Sequence, residues 1–515
     1  MAFNIGHLVL VVASSWRVLE LTGSPLWVSA MVGAPTVPLL LLALPAGAVA
    51  DLFDRKIILM ASSGTMMLAA GGMVFVTLAG LDSPGLLVAL GMVVGVGVAF
   101  FNPAWQAIVP GLVPRHLVPG AIALNSASGG VATALGPALG GLMLATVGPA
   151  WSFIVATGGY AVMLVTSYVG QSLSSDSDVD TVPTAIASGI RYLRFSHGYL
   201  ALLLVGSSFG FTSAALRAML PNLTSEALGG DAGLYGVLLG VFGAGATLGG
   251  LTRHHGSRLL GRRMIPLSIV AFGLAGMAIG GVKNLAVVAA GVAISGVLWT
   301  WILATMNSIF QMLTPDWVRG RTMAAFVLAI FGILPIGALS AGALADLVGA
   351  GVSLFIFSMA VALVGGIALR VKLPVLEEII PPTMIPDHSK PAPRPSRLKG
   401  PLMVIGTWTI ESPEEMEAFG SVLVELRRLR LATGARRWNA YHSFDDSTQV
   451  SEAYVVPSWE HHVQLQSRLD TRGQEIIERA ERFGSSQRRV TTHLVEFDVT
   501  LRPDDNGGQA ESPNR

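Results

Sequence analysis

Three charged residues stand inside long apolar segments of this sequence: Arg17, Glu20 and Arg217. A charge among apolar residues is costly to bury, so such positions are candidates for function. Glu20 follows Arg17 by three residues, a spacing that lets the two pair on one helix face. A guanidinium can hold an anionic group, and a carboxylate can carry a proton. The trio is therefore a candidate site for a small molecule or a proton. The alternative is a set of long side chains reaching out to an interface. A second charged group, Asp51, Asp54, Arg55 and Lys56, follows Gly47 at the end of an apolar segment. It reads as a charge latch, or as a helix end followed by ordinary loop charges.

Asn102, Gln106, Asn307 and Gln311 are amides near the ends of two further apolar segments, with Arg115, Arg319 and Arg321 close behind. Buried amides need partners, and a structural role at a gate fits this set better than substrate contact. Gly136, Pro137, Gly140 and Gly141 would let one helix bend and approach a neighbour closely. The chain has no cysteine, which excludes disulfides, thiolate metal sites and cysteine nucleophiles. It also lacks the G-x-x-x-x-G-K-[ST] run of a P-loop, so ATP hydrolysis by that route is excluded.

These residues need elements to carry them. Of 515 residues, 52% are hydrophobic and 13% charged, with a mean hydropathy of +0.62. Soluble globular proteins carry about 25% charged residues. The average conceals two parts: 27 of residues 1–372 are charged, against 38 of residues 373–515. The first part reads as a membrane body and the second as a soluble domain. A membrane helix needs about 20 mostly apolar residues. Twelve spans are expected, near 3–21, 26–50, 57–80, 85–110, 118–147, 151–171, 198–226, 233–254, 262–282, 285–313, 322–346 and 351–370. Turn residues such as Thr22-Gly23-Ser24-Pro25 and Asp82-Ser83-Pro84 separate them. No basic leader precedes the first apolar run, so that run is expected to stay as a helix rather than be cleaved.

Thirteen of the 16 basic residues in 1–372 fall in alternate loops, from Arg55 and Lys56 to Arg370 and Lys372. Positive loops face the cytoplasm, which places both termini and the soluble domain inside. The formal net charge of +1 gives no case for a nucleic-acid partner. The segment Asn102-Pro-Ala-Trp-Gln106-Ala-Ile-Val-Pro110 and the segment Asn307-Ser-Ile-Phe-Gln311-Met-Leu-Thr-Pro315 read alike. They end spans six apart, which suggests two six-helix halves related in parallel. The expected layout is a first half at 1–171, a joining loop at 172–196 and a second half at 197–372.

The segment Gly47-Ala-Val-Ala-Asp51-Leu-Phe-Asp54-Arg55-Lys56 resembles the loop 2–3 signature of the major facilitator superfamily. Leu52 and Asp54 stand where the general signature has arginine and glycine. Gly136-Pro137-Ala-Leu-Gly140-Gly141 resembles the glycine-proline motif of its exporters. Phe101-Asn-Pro-Ala-Trp-Gln-Ala, Leu124-Asn125-Ser126 and Pro315-Asp316-Trp317-Val318-Arg319-Gly320-Arg321 resemble its enterobactin-exporter-like branch, the transmembrane secretion effectors. The resemblance implies a twelve-helix major facilitator fold in the plasma membrane. It further implies export of small amphipathic molecules such as siderophores or antibiotics, driven by a proton gradient, with no cofactor and no enzymatic step. Many proton-coupled exporters of the superfamily carry an arginine within the fourth span; residues 85–100 contain none.

After a Pro-rich linker at 373–400, residues 401–500 alternate strand-like and helix-like patterns in the order βαββαβ, a ferredoxin-like sandwich. Residues 501–515 read as a disordered tail. Ser412-Pro413-Glu414-Glu415 marks a helix start, and the basic run Arg427-Arg428-Leu-Arg430 reads as a solvated helix face. The domain resembles dimeric α/β-barrel modules of the antibiotic-biosynthesis-monooxygenase type. That implies dimerisation, and a cleft formed by Trp438, Tyr441, Glu452 and His462. The bland reading makes these four core and surface residues of a regulatory module. The rival for the whole chain is a ligand-binding or oxygenase domain on a membrane anchor that does not transport. Adjacent helical positions point apart, so His461 and His462 are weak metal ligands, and no metal site is expected.

Overall fold

Glycine and proline punctuation sets the helix ends. Helix α1 (Ala2–Thr22) stops at Gly23, whose φ of 63° suits a residue without a side chain and whose N–H bonds the Leu19 carbonyl at 2.8 Å. Ser24 then caps α2 (Pro25–Gly33), with Pro25 at the first helical position. The second expected span is not one straight helix. Pro35 falls in a 3-10 turn, Ala34–Thr36, and α3 (Val37–Leu52) continues from there. The Asp54 carboxylate accepts the Lys56 N–H at 2.8 Å and starts α4 (Arg55–Leu78).

The next helices are α5 (Pro84–Ile108), α6 (Val118–Val147), α7 (Pro149–Val169), α8 (Tyr199–Asn222) and α9 (Ala232–Leu260). They are followed by α10 (Met264–Gly281), α11 (Leu285–Leu313), α12 (Arg319–Val327), α13 (Leu334–Val348) and α14 (Ala350–Ala368). One π-helical turn, Leu223–Ala227, extends α8, and another, Leu328–Gly332, joins α12 to α13.

The computed structural model describes residues 1–108, 113–169, 192–195, 199–315, 318–374, 400–410, 412–469, 471–483 and 490–495. Most of the joining loop 172–196 and of the linker 373–400, and all of the tail 501–515, lie outside these. So do the side chains of Asp51, Arg115, Arg319 and Arg321.

Among the described residues, eleven helical segments are long and apolar enough to cross a membrane. The sequence pattern leads to twelve. The difference lies in one segment, Ala232–Gly281, which runs for 50 residues and is interrupted by a 3-10 turn at Gly261–Arg263. An unbroken helix of that length would extend about 75 Å, more than twice the apolar thickness of a bilayer.

The chain divides into two compact units, one carrying these helices and the other holding Pro381–Arg515. In the helical unit, small residues bring helices into backbone contact. A methyl group on Gly245 or Gly249 of α9 would run into the α11 backbone at Ala293 or Val297, and one on Gly273 of α10 would meet α14. Close approach of this kind lets dispersion replace the hydrophobic driving force that lipid removes.

The C-terminal unit contains four antiparallel strands: β1 (Leu402–Thr409), β2 (Arg437–His442), β3 (Gln449–Val456) and β4 (Val490–Val495). Their order across the sheet is β2-β3-β1-β4. Helix α15 (Pro413–Thr433) connects β1 to β2. Two helices, α16 (Trp459–Ser467) and α17 (Thr471–Glu481), connect β3 to β4 where the sequence pattern suggests a single one. Leu402, Val404 and Trp408 of β1 and Val450, Tyr454 and Val456 of β3 are buried on one face. Phe419, Val422 and Leu426 of α15 pack with Trp408 and Val450, while Leu402, Val404, Tyr454 and Val456 form a second cluster with Leu465 of α16.

Candidate functional site

The helical unit has two sets of ends. One is marked by the turns at Gly23, Asp82, Gly148 and Gly349, and the other by Asp54 and Gly261. Arg17 and Glu20 lie at the Gly23 end. The Arg17 guanidinium donates to Glu20 at 3.0 Å and to Asp82 at 2.7 Å. The Trp16 indole donates to the other Glu20 oxygen at 3.1 Å. Both partners of Arg17 are carboxylates, so this cation is satisfied within its own bundle of helices. Asp82 escaped the sequence reading, since it stands 65 residues away in a turn.

Arg217 is not part of that network. It stands ten residues before the end of the Tyr199–Ala227 segment, so about 15 Å inside it. Its guanidinium lies over the Phe242 ring of α9, 5.6 Å from the centroid. The Tyr235 hydroxyl interacts with Ser15 of α1 and with Arg217. Trp16 stacks on Tyr235 at 5.9 Å, so aromatic rings link the two arginine environments.

The glycine-proline motif of α6 divides its contacts. A methyl group on Gly136 would stand 2.9 Å from Leu8 Cβ, and one on Gly140 would stand 3.0 Å from Val9 Cα, both on α1. Gly141 faces α9 instead. A methyl group there would lie 2.6 Å from the Ala232 carbonyl oxygen and 2.7 Å from Gly236 Cα. The reverse holds too, because a methyl group on Gly236 would lie 2.6 Å from the Pro137 carbonyl oxygen. Toward the middle of the same helices, Gly240 meets Ala134 and Gly243 meets Thr133.

A second seam joins α2 to α13. Gly342 packs on Ser29 and Leu26, and Gly33 on Pro335. Asp346 completes it at the Gly23 end. Its carboxylate accepts the Ser24 hydroxyl at 3.1 and 3.2 Å and the Leu26 N–H at 3.3 Å. An anion at a helix N-terminus is held by free N–H groups and by the helix dipole. Sequence reasoning missed Asp346. The available signal was an N-cap serine at Ser24 and one acidic residue closing a span at the same end.

At the Asp54 end, Gly47 is half-buried on α3, and Lys56 lies 5.9 Å from the centre of the Tyr168 ring. Asn102 and Gln106 are exposed on α5. Asn307 and Gln311 bond each other, the Gln311 amide donating at 2.9 Å. Trp105 donates to Asn125 at 3.1 Å, joining two of the sequence motifs across α5 and α6.

In the C-terminal unit three of the four expected cleft residues gather about Tyr454. Glu452 is fully buried and accepts from Trp438 at 2.9 Å and from Arg430 at 3.2 Å. His462 is buried on the same side of the sheet, its ring 6.3 Å from that of Tyr454 and beside Trp459, and its Nε2 3.3 Å from Nε2 of His493. Tyr441 is exposed on β2. The reading of Arg427, Arg428 and Arg430 as one solvated face is corrected here. Arg427 and Arg428 are exposed, but Arg430 is 3% exposed. It falls four residues after Leu426 and eight after Val422, on the core face of α15. Burial disfavours its charge, yet Glu452 and Tyr454 beside it hold its pKa above the ordinary guanidinium value. In the β2–β3 turn, the Thr448 hydroxyl and N–H and the Gln449 amide donate to Asp446 and lower its pKa. Among the described residues no cluster of three metal-ligating side chains occurs.

Residues 1–499 match the family described as transmembrane secretion effector. The multidrug efflux pump Tap of Mycolicibacterium fortuitum is 26% identical over 388 residues, covering 73% of this chain and 93% of the pump. The staphyloferrin A transporter of Staphylococcus aureus is 22% identical, covering 67% and 87%. The enterobactin exporter EntS of Shigella boydii is 28% identical, covering 60% and 72%. Among solved structures, a D-xylose–proton symporter aligns with a TM-score of 0.56 at 14% identity, covering 72% of this chain and 95% of its own. The nucleoside transporter NupG aligns at 0.57 and 11%, covering 72% and 98%. The match spans the apolar helices and the C-terminal domain alike, and the chain therefore belongs to the transmembrane secretion effector family, a multi-pass membrane transporter and not an enzyme.

Proposed function

We propose that the chain exports small amphipathic molecules across the plasma membrane by alternating access, driven by the proton gradient. Relatives named as a multidrug efflux pump and as siderophore transporters support the substrate class. The observation that carries the mechanism is the pair of glycine seams, α6 on α9 and α2 on α13, at the Gly23 end. Each seam joins a helix from residues 1–171 to one from residues 197–372. Contacts of this kind, made and broken between two rigid halves, are what alternating access requires.

In this reading Ala232–Leu260 and Met264–Gly281 count as two spans, which gives twelve in two halves of six. Both termini and the C-terminal domain face the cytoplasm, as the positive loops favour. The Gly23 end is then the outer face, and the structure is closed to the outside. Asp51, Asp54, Arg55 and Lys56 form the inner latch, with Gly47 giving the α3 end room to move. Asn102, Gln106, Arg115, Asn307, Gln311, Arg319 and Arg321 line the inner gate.

The C-terminal unit is a ferredoxin-like domain, a reading supported by its β4-β1-β3-β2 order. It dimerises through the sheet face that carries Met403, Tyr441 and Leu494, all exposed. Uptake of dyes into everted membrane vesicles under an imposed pH gradient tests the proposal. The full chain is expected to accumulate dye, and Asp51→Asn to slow it at equal expression. A full chain with no gradient-dependent uptake of any dye would point to a non-transporting anchor.

A further inference from the structure

We propose that Arg217 supplies the counter-charge for an anionic group on the transported molecule, and so selects anionic substrates. The inference rests on the export reading and adds the charge of the cargo.

Every residue from Thr212 to Thr224 is buried except Arg217. Its guanidinium lies over Phe242, 5% exposed, and near Tyr235, 1% exposed, both on α9, and Tyr235 stacks on Trp16 of α1. The groups about Arg217 thus come from both sets of helices that alternating access would move. Its depth of about 15 Å from the Gly23 end is half the apolar thickness of a bilayer. A guanidinium there lies beyond the reach of the headgroups.

Among the described residues, Arg217 makes no ion pair. Of the acidic groups at the Gly23 end, Glu20 and Asp82 are held by Arg17, Asp346 by Ser24 and Leu26, and Asp231 by the Leu234 N–H, while Glu226 stands nine residues, about 14 Å, along the segment from Arg217. An uncompensated arginine near the bilayer centre is costly. Phe242 offsets a part of this cost by a cation–π contact. An anion arriving beside the guanidinium would offset the rest. A guanidinium presents several N–H donors in a planar fork that matches carboxylates, phenolates and sulfonates. Arginine also holds its proton at any physiological pH. The residue therefore binds and selects, and the coupling proton travels by another group.

The test uses the purified full-length chain and two dyes of similar size, anionic carboxyfluorescein and cationic rhodamine 123. Binding is followed by dye fluorescence anisotropy. Carboxyfluorescein is expected to bind the native chain more tightly than rhodamine 123. Arg217→Gln should weaken carboxyfluorescein by roughly 10- to 100-fold, the worth of a charge-assisted hydrogen bond. Arg217→Lys should recover part of this loss, and rhodamine 123 should bind Arg217→Gln at least as well as the native chain. Equal affinity of the native chain for both dyes would overturn the inference, as would an Arg217→Gln chain that binds carboxyfluorescein normally. Flux in vesicles reports on the export reading separately. A chain that binds with this charge preference but transports nothing sinks that reading and leaves the site.

Discussion

The seam between α6 and α9 leaves no room for a side chain, so Gly236→Ala is a direct perturbation of it. The added methyl group would lie 2.6 Å from the Pro137 carbonyl oxygen and 2.7 Å from Gly141 Cα. Ordinary contact for such a carbon begins near 3.4 Å, so the helices must part by about 0.8 Å. Both obstacles are backbone atoms and cannot swing aside. Overpacking of this kind costs about 1–3 kcal/mol. The cost falls on the state in which the seam is closed and vanishes where it is open. The open population should therefore rise by roughly 5- to 150-fold.

The assay exploits the absence of native cysteine. Ser29 is fully buried in the other seam, against Gly342, so Ser29→Cys becomes accessible only when the two sets of helices separate. Its rate of reaction with a membrane-impermeant maleimide reads the open population at a distance from the perturbation. Gly158→Ala serves as control, because nothing lies within 4 Å of the methyl group it adds. Gly236→Ala should accelerate labelling within the stated range, and Gly158→Ala should leave it unchanged. Equal labelling in Gly236→Ala and its parent, with both chains folded, would refute the reasoning.

Three further outcomes follow from the same geometry. Asp346→Asn removes the charge held at the α2 N-terminus, worth about 0.3–1 kcal/mol at an exposed position, and should raise Ser29→Cys labelling up to roughly 5-fold. Glu452→Gln leaves Arg430 charged in the core and should cost the C-terminal domain about 3–5 kcal/mol, read as lost amide protection in β1 and β3. Replacing both residues at once, with Arg430→Met and Glu452→Leu, should restore most of that protection. Asp446 binds its partners as a carboxylate and has a lowered pKa, so its contribution to the β2–β3 turn is present above the ordinary aspartate pKa. It should fade as pH falls through the lowered value, and Asp446→Ala should flatten that dependence of hairpin amide exchange.

The helices were legible because a bilayer imposes a length and a composition on each of them. Caps were legible too: Gly23, Ser24 and Ser412 stop or start helices by local rules that need only a few neighbours. The 232–281 region reads as two spans in the sequence and runs as one helical segment interrupted only by the turn at Gly261–Arg263 in the structure, because a single 3-10 turn barely interrupts the helical path. In the C-terminal unit β1 and β3 alternate buried and less buried positions, whereas β2 and β4 are mostly exposed, so alternation marks only the two central strands.

The site was legible only in part. Arg17 and Glu20 pair at helical spacing, as read, but their third partner Asp82 and the link from Asp346 to Ser24 span 65 and 322 residues. No local pattern encodes such pairs; they exist because packing brings distant helix ends together. Arg430 was misjudged for a related reason. A basic run looks solvated until the helical phase of Val422 and Leu426 is applied to it. Arg217 was singled out by its isolation in an apolar span, while the ring of Phe242 beneath it comes from a helix that no local pattern ties to it.

The account turns on energised export. Purified full-length protein reconstituted into liposomes, with a substrate dye and a pH gradient of either sign, tests it most directly. The account predicts dye movement against its own concentration gradient while protons flow the opposite way, abolished by a protonophore. Movement that merely equalises dye across the membrane, indifferent to the pH gradient and to the protonophore, would contradict it.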